Sequence, residues 1–237
     1  WLALEKPAGA GTRAHPWDAE VPDLDTALNA QLQAGKPELQ RLGAELFGSV
    51  YYLDPEIAGV ALFAKNRDAL ADLRNRFGSG EGRFHFHFVS AAPGNGPAEA
   101  LEADAPLLPH RVKPKMIPST ARGKKCRSTF RPLAASDGWV LWEAACDFFR
   151  PHQVRAHAAV SGLPVLGDSL YDGPPIPLLR QLGGCRRGSG KGLDKPAYPG
   201  LPIRLVRACP GADLPEVEAA ADKAFALLLR RLGLRGG

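Results

Sequence analysis

Hydrophobic and polar residues alternate strictly along residues 83–92, which read RFHFHFVSAA. In an extended chain the three phenylalanines fall on one side, and His85 and His87 fall on the other side. A period of two residues is typical of a strand with one buried face. The segment therefore predicts a half-buried strand whose phenylalanines point into the core.

Other segments extend this prediction to a mixed set of elements. Short apolar runs bounded by turn residues predict strands over 2–9, 49–53, 59–66, 126–133 and 139–149. Helical spacing predicts helices over 23–32, with Asp25 as the N-cap, and over 68–77, 152–162 and 212–232. Strands outnumber helices and few β-α-β alternations occur. We therefore predict an α+β fold with a mixed, mostly antiparallel sheet and flanking helices.

Two segments rich in Gly, Pro, Lys and Arg, residues 93–125 and 172–203, interrupt these elements. We expect them to be loops that pass over a binding face. The net charge of +5 is concentrated in RVKPK (111–115), ARGKKCR (121–127) and RRGSGK (186–191). Clustered basic residues favour a polyanionic partner, RNA or DNA, although a solvated basic surface has the same composition.

The overall composition is that of a globular chain. It has 237 residues, of which 45% are apolar and 23% charged, enough to bury a core. No apolar run reaches the roughly 18 residues that span a bilayer, and the opening WLALEKPAG does not resemble a signal peptide. The four cysteines are scattered without a CxxC pair, which favours reduced thiols in a cytoplasmic protein.

A single carboxylate, Asp54, stands between two apolar runs in VYYLDPEIAGVALFAKN (50–66). A carboxylate before a proline is often a plain turn residue. The alternative is a catalytic group at the edge of a strand. Asp54 by itself does not decide between these interpretations.

A second polar cluster occupies FRPHQVRAH, where a predicted strand leads into a predicted helix. Guanidinium groups and helix N-termini both favour anions, so this cluster would suit a phosphate or an ionised carboxylate. The alternative is a polar helix start that is capped by its own side chains. The clustered residues are Arg150, His152, Gln153, Arg155 and His157.

Other candidate motifs are weaker. The glycine-rich GSGEG (78–82) and GSGKG (188–192) lack the rest of a phosphate-binding loop, and we expect flexible turns. His85 and His87 could ligate a metal, but no third ligand is nearby in the sequence. A metal-dependent enzyme is therefore the weakest of the functional interpretations.

Taken together, the Asp54 segment and the downstream segment resemble the RluA-type pseudouridine synthases. The family form HRLDxxTSG is matched by YYLDPEIAG, with Asp54 at the catalytic aspartate. The form GRTHQIRxH, followed by G-x-P-[IV]-x-GD-x-x-Y, is matched by FRPHQVRAH and GLPVLGDSLY. LEKPAG with the later HP, and CRSTFRPL, add to a likeness that runs from about residue 2 to 173, with a weaker tail to about 208.

The resemblance implies an activity and an architecture. Family members isomerise uridine in RNA to pseudouridine without a metal or other cofactor: the uracil leaves C1′, turns, and rejoins through C5. We expect one catalytic domain over residues 1–237, without the small RNA-binding domain often found at the family's N-terminus. We expect a monomer that acts on ribosomal or transfer RNA and has no membrane partner.

The resemblance also implies roles for individual residues. Asp54 is the nucleophile or base, and Arg155 is the ion-pair partner that keeps it charged. His85 stands where the family has the tyrosine beside the target base, and Tyr52 is the candidate wedge for the hole that the flipped base leaves. Arg150, His152 and Gln153 are expected to contact ribose or phosphate. The expected contacts to the RNA backbone are Lys113, Lys115, Arg122, Lys124 and Lys125.

Several positions depart from the family pattern. They are Tyr51 and Tyr52 for His-Arg, Ile57 and Ala58 for Thr-Ser, Phe148 and Phe149 for Thr-Gly, and Pro151 for Thr. The ionised pair is kept while the groups that handle the base have changed. We therefore predict a divergent active enzyme. The alternative is a catalytically silent RNA-binding protein on the same fold.

Overall fold

The strands of this chain assemble into one large sheet and one small ribbon. The structure, a computed structural model, describes residues 1–94, 99–136, 138–182 and 193–234. In these ranges the sheet consists of β1 (Leu2–Lys6), β2 (Gly48–Ser49), β3 (Ala58–Ala64), β4 (Arg83–Ala91), β5 (Leu101–Ala103), β8 (Ser128–Ser136), β9 (Trp139–Cys146), β10 (Ile203–Cys209) and β11 (Val217–Glu218). The ribbon pairs β6 (Leu107–Pro109) with β7 (Met116–Pro118).

Five helices flank the sheet within the same ranges: α1 (Leu24–Gln33), α2 (Pro37–Gln40), α3 (Arg67–Ser79), α4 (Gln153–Val160) and α5 (Lys223–Arg231). The main strand order is β1-β3-β10-β4-β9-β8-β5, with β2 beside β3 and β11 beside β10. Among these strand pairs β3–β10 is parallel and the others are antiparallel. The predicted mixed, mostly antiparallel α+β fold is confirmed. No helix in the described ranges is long and apolar enough to cross a membrane.

The phenylalanine face of β4 forms the main core, as its alternation predicted. Phe84, Phe86 and Phe88 are at most 1% exposed. They belong to one apolar cluster with Leu73 of α3 and Val154 of α4. Helices α3 and α4 therefore cover the phenylalanine face of the sheet.

The opposite face of β4 carries the alternate residues. His85 and His87 lie within 3.5 and 3.8 Å of the Glu143 carboxylate on β9. Further along this face Val89 packs with Phe225 of α5. The two faces of β4 thus pack against different helices. Residues on the histidine face therefore point away from α4.

The start of the chain's first helix differs from the prediction. The N-cap of α1 is Asp23, whose extended backbone lets its carboxylate accept the Thr26 N–H at 2.8 Å. Asp25 instead accepts the N–H and hydroxyl of Ser49, at 2.7 and 3.0 Å. Asp25 therefore links α1 to β2 and does not cap the helix.

The predicted helix over 212–232 was wrong in its first half. Residues Val217–Glu218 form β11 against the edge of β10, and the Ala219 N–H donates to the Val206 carbonyl at 2.8 Å. The helix begins only after Asp222, which caps two backbone N–H groups. Pairing with an open sheet edge outweighs the helical propensity of the alanine-rich segment.

Two other predictions also change. Of the strand predicted over 49–53, Ser49 belongs to β2, and residues 50–53 leave the sheet, with the Leu53 N–H bonded to the Thr12 hydroxyl at 3.0 Å. The loop predicted over 93–125 contains β5, β6 and β7. Within 172–203, the GSGKG turn, the basic segment 186–191 and Cys185 lie outside the described residues.

Candidate active site

Asp54 is a turn residue and a buried carboxylate at the same time. Its carbonyl accepts the Ile57 N–H at 3.1 Å, which closes the turn that leads into β3. Its side chain is 2% exposed and points towards the start of α4. Oδ1 accepts the backbone N–H of His152 at 3.1 Å. The turn interpretation of this residue is therefore confirmed, and the buried carboxylate leaves its catalytic role a prediction.

Arg155 on α4 holds three carboxylates with one buried guanidinium. Nε and Nη2 form a bidentate pair with Asp168, at 2.6 and 3.0 Å. Nη1 lies 3.4 Å from Asp54 Oδ2 and 3.1 Å from Glu56 Oε2. Burial by itself would lower the pKa of Arg155, but the bonds to Asp168 and the charge of Asp54 raise it. The guanidinium therefore stays charged, and its tightest partner is Asp168, to which sequence analysis gave no role.

His152 is held in a strained backbone conformation between these groups. Its φ of 55° lies in the left-handed region, which residues other than glycine rarely adopt. Burial lowers the pKa of the imidazole, so it is neutral at neutral pH. His152 Nδ1 lies 3.1 Å from Tyr171 Oη, which is also 3.2 Å from the Met116 carbonyl, and the tautomer of the ring sets which of the first two groups donates. His152 Nε2 lies 4.0 Å from Asp54 Oδ2 without a hydrogen-bond partner in the described part of the chain.

Tyr171 connects this cluster to the basic loop. Its ring lies 5.4 Å from the Arg155 guanidinium and 5.5 Å from Lys115 Nζ. Its hydroxyl also accepts the Met116 N–H at 2.9 Å, which ties β7 to the site. Asp168 and Tyr171 are the D and Y of the matched GDSLY segment, so the signal was present in the sequence although no role was assigned to it.

Lys6 contacts the turn that carries Asp54. Its side chain is fully buried, and Nζ donates to the Ala10 carbonyl at 2.6 Å and the Pro55 carbonyl at 3.4 Å. Burial lowers its pKa to about 8 against the opposing charges of Asp54 and Glu56. Lys6 therefore joins the LEKPAG loop to the turn that carries Asp54.

A cavity of about 670 Å³ opens beside this cluster. Its lining comes from the loop after β1, the Asp54 turn, the start of α4 and the segment after Asp168. The lining includes His15, Glu56, Pro114, His152, Leu170 and Leu201. The His152 ring also lies 5.3 Å from the Trp17 ring.

Tyr52 lies near Asp54 but below the surface. It is 5% exposed, and its hydroxyl has no hydrogen-bond partner among the residues that the structure describes. Burial and the charge of Asp54 both raise its pKa. The ring is packed inside the protein, so this structure does not present it as a wedge for an RNA helix.

The structure contradicts the predicted place of His85. Its side chain is on the face of β4 opposite to α4, with Nδ1 3.5 Å from Glu143 Oε2. Successive side chains of a strand point to opposite faces, so the ring cannot turn to Asp54 while the phenylalanines stay in the core. We therefore assign His85 no catalytic role.

Gln153 also differs from its prediction. It is 1% exposed, its amide nitrogen donates to the Arg127 carbonyl at 2.9 Å and the Ser128 hydroxyl at 3.1 Å, and its oxygen accepts the Arg150 N–H. These bonds leave no group of Gln153 for a substrate. It is a structural link between α4 and β8.

The predicted basic contacts fall into two groups. Lys115 is next to Tyr171, with Nζ bonded to the Leu170 carbonyl at 3.0 Å. Arg150 is half-buried and donates to the Lys125 carbonyl at 3.1 Å. The remaining basic side chains, Lys113, Arg122, Lys124 and Lys125, are exposed on loops.

Three possible metal ligands meet at the site, beside the Arg155 guanidinium. Atoms of Asp54, Glu56 and His152 lie within 4.8 Å of one another. The Arg155 guanidinium already contacts both carboxylates, so a divalent cation would meet a fixed positive charge at this position. His85 and His87, the pair considered from sequence, surround Glu143 on the other face of the sheet.

Comparisons of sequence place this chain near one class of protein. No family model matches it. It is 28% identical over 170 residues to ribosomal large subunit pseudouridine synthase C of Vibrio cholerae, covering 72% of this chain and 50% of that protein. It is 30% identical over 173 residues to ribosomal large subunit pseudouridine synthase D of Zymomonas mobilis, covering 72% and 52%. The chain thus spans about half the length of these curated relatives.

Solved structures agree on the fold. The human RNA pseudouridylate synthase domain containing 4 protein matches with a TM-score of 0.68 and 20% identity, over 98% of this chain and 89% of that one. The human domain containing 1 protein matches with a TM-score of 0.58 and 17% identity, over 93% and 79%. The predicted catalytic-domain fold is confirmed.

Proposed function

The homology of this chain to RNA pseudouridine synthases is the premise from which we propose that it isomerises uridine to pseudouridine in RNA. The observation that carries the proposal is Asp54, a buried carboxylate whose neighbours Glu56 and His152 line a nucleotide-sized cavity. Its oxygens lie near the His152 N–H and the Arg155 guanidinium. A carboxylate at such a position can serve as a nucleophile or base.

The reaction is an isomerisation, so the nucleotide gains and loses no atoms overall. The N1–C1′ bond breaks, the C5–C1′ bond forms, C5 loses a proton and N1 gains one. The target nucleotide leaves its stack and enters the cavity, where Asp54 lies beside the ribose. Asp54 then acts as nucleophile or base, and Arg155 stabilises its charge.

His152 is a second group for the substrate in this proposal. Its neutral Nε2 has no hydrogen-bond partner in the described residues and lies 4.0 Å from Asp54 Oδ2. It is therefore placed to form a hydrogen bond with a ribose hydroxyl and to orient the sugar against Asp54. Lys115 and the exposed basic side chains at 113, 124 and 125 are the proposed phosphate contacts.

The RNA itself is proposed from the relatives. The two bacterial relatives described above are named for the large ribosomal subunit. We propose structured ribosomal RNA as the first substrate to test, with transfer RNA as the second. We also propose a monomer in the cytoplasm; the unpaired thiols of Cys126, Cys146 and Cys209 support the location.

The first test is reaction with RNA that contains 5-fluorouridine, followed by assays of pseudouridine formation in unmodified RNA. The wild type should form an adduct or a rearranged product. Asp54→Asn keeps the size of the side chain but removes its charge, so turnover should fall by at least about 10³-fold while RNA binding remains. Asp72→Asn, on the exposed face of α3, is the matched control and should react as the wild type does.

The second candidate function is a silent RNA-binding protein on the same fold. Its support is the change in the residues that would contact the target base. Tyr52 is packed inside the protein, and His85 faces away from Asp54. If the wild type binds RNA but converts no uridine in a panel of ribosomal and transfer RNAs, this second function replaces the first. Turnover that persists in Asp54→Asn would instead contradict the assigned mechanism.

A further inference from the structure

A second cavity, of about 660 Å³, lies against the segment that leads into α4. It is nearly as large as the cavity beside Asp54. Its lining combines the basic loop before β8 with the residues after β9. The residues that matter here are Lys125, Arg127, Phe148, Asp104 and Asp147.

Phe148 gives this cavity an aromatic surface. The ring packs on one side against the small apolar cluster that contains Ala156 and Tyr171, and it also lines the cavity. The Arg150 guanidinium lies 5.4 Å from the ring centroid and is held by its bond to the Lys125 carbonyl. A half-exposed ring beside a fixed guanidinium is a suitable platform for a nucleobase.

The charges around the ring favour a phosphate. Lys125 and Arg127 are exposed on the rim. Arg127 lies 3.7 Å from Asp147 and 3.9 Å from Glu102, which are long, exposed pairs of little strength. The lining has two cations, Lys125 and Arg127, and two carboxylates, Asp104 and Asp147. A phosphate would therefore bind through the weakly paired cations on the rim and not through a net positive charge.

The two cavities flank the same short segment. His152 lines the cavity at Asp54, and Phe148 lines the second cavity. They are four positions apart in the chain, so their Cα atoms are at most about 14 Å apart. A single strand of RNA that crosses the start of α4 can therefore reach both.

We infer that this second cavity is a nucleotide-binding subsite for an unpaired nucleotide next to the target uridine. The neighbouring base stacks on Phe148, and its phosphate contacts Lys125 and Arg127. This inference rests on the proposed function. It adds the path that the substrate strand takes across the protein. The family pattern has threonine at position 148, so the aromatic platform is a feature of this chain.

The test compares Phe148→Leu, which keeps an apolar side chain, with Phe148→Trp, which keeps a stacking ring. Loss of one stacked base should weaken RNA binding and raise KM by about 5- to 150-fold in Phe148→Leu. The kcat should stay within about twofold of the wild type, because the Asp54 cluster is unchanged. Phe148→Trp should restore both binding and KM.

Cross-linking locates the contact directly. RNA with 5-bromouridine next to the target position should cross-link to the peptide that contains residue 148, and Phe148→Leu should lose this product. Lys125→Ala, at an exposed position that does not affect folding, should reduce the salt dependence of RNA binding by about one unit of slope. A wild-type slope in Lys125→Ala together with a wild-type KM in Phe148→Leu would overturn the inference.

The outcomes separate the subsite from the catalytic proposal. If the wild type makes pseudouridine and Phe148→Leu binds and reacts equally well, the subsite is wrong and the proposed function stands. If no RNA is converted but Phe148→Leu loses binding and the cross-link, the subsite stands and the catalytic proposal fails.

Discussion

At the scale of single residues, one guanidinium organises the site. Arg155 gives its two shortest carboxylate bonds to Asp168 and a longer contact to Asp54. Asp168 therefore fixes the plane of the guanidinium, and Asp54 keeps an oxygen that is only partly compensated. We therefore propose Asp168 as a positioning residue, which holds the guanidinium that contacts Asp54.

The Tyr171 hydroxyl has a stabilising role that can be measured. Tyr171→Phe removes the partner of the buried Met116 N–H and of His152 Nδ1, while the ring next to Arg155 remains. The free energy of unfolding should fall by about 1–3 kcal/mol, as urea denaturation would record. Tyr198→Phe is the control, since its hydroxyl makes one long bond of 3.4 Å to Asp222. An equal loss in both variants would contradict this role.

At the scale of elements, the close crossing of β3 and β10 positions the site. These strands run parallel, and β3 follows the turn that carries Asp54. Gly59 has a φ of 121°, and a Cβ there would lie 2.1 Å from the Leu205 carbonyl oxygen. A glycine is required because only it allows the two backbones to approach this closely.

Two glycine substitutions should therefore act in opposite directions. Gly59→Ala should lower the free energy of unfolding by at least about 2 kcal/mol, because it strains the backbone and separates β3 from β10. Gly78→Ala, inside α3 with nothing within 4 Å of the added Cβ, should raise it by about 0.5–1 kcal/mol. Chemical denaturation of both variants provides the measurement. A small loss of unfolding free energy in Gly59→Ala would mean that β3 and β10 move apart at little cost.

At the scale of the whole molecule, neutral histidines are buried where α4 meets the sheet and the loops. His157 is fully buried, with its ring nitrogens 3.0 Å from the Ser128 hydroxyl and 2.9 Å from the Ala105 carbonyl. Burial lowers its pKa, as it lowers that of His152. The packing of α4 therefore depends on imidazoles that stay uncharged.

This burial predicts that acid destabilises the fold. The lowered pKa values mean that, below about pH 6.5, the unfolded chain binds protons that the folded chain does not. Stability should thus decrease as pH falls from about 6.5 towards 5, by up to about 1.4 kcal/mol per pH unit for each histidine. Urea denaturation at several pH values measures this slope. His157→Asn should reduce it, and a wild-type slope in this variant would count against the explanation.

Much of this protein could be read from local patterns in its sequence. The alternation in β4 predicted which side chains face the core, and the spacing in α3 predicted that helix within a residue or two. Such features depend on near neighbours in the chain, whose periodicity and turn residues are visible without a fold. The contact between Asp54 and Arg155 was implied only by the resemblance of their segments to a known family.

Other features were decided only when distant segments came together. The face of β4 that meets α4 excluded His85 from the site, and the Arg155 guanidinium bonded most tightly to Asp168. The edge of β10 drew residues 217–218 out of a predicted helix. The sequence by itself determined the elements with a clear period, such as β4 and α3. Tertiary structure decided which groups touch, because strand pairing and the choice of a sheet face depend on residues far apart in the chain.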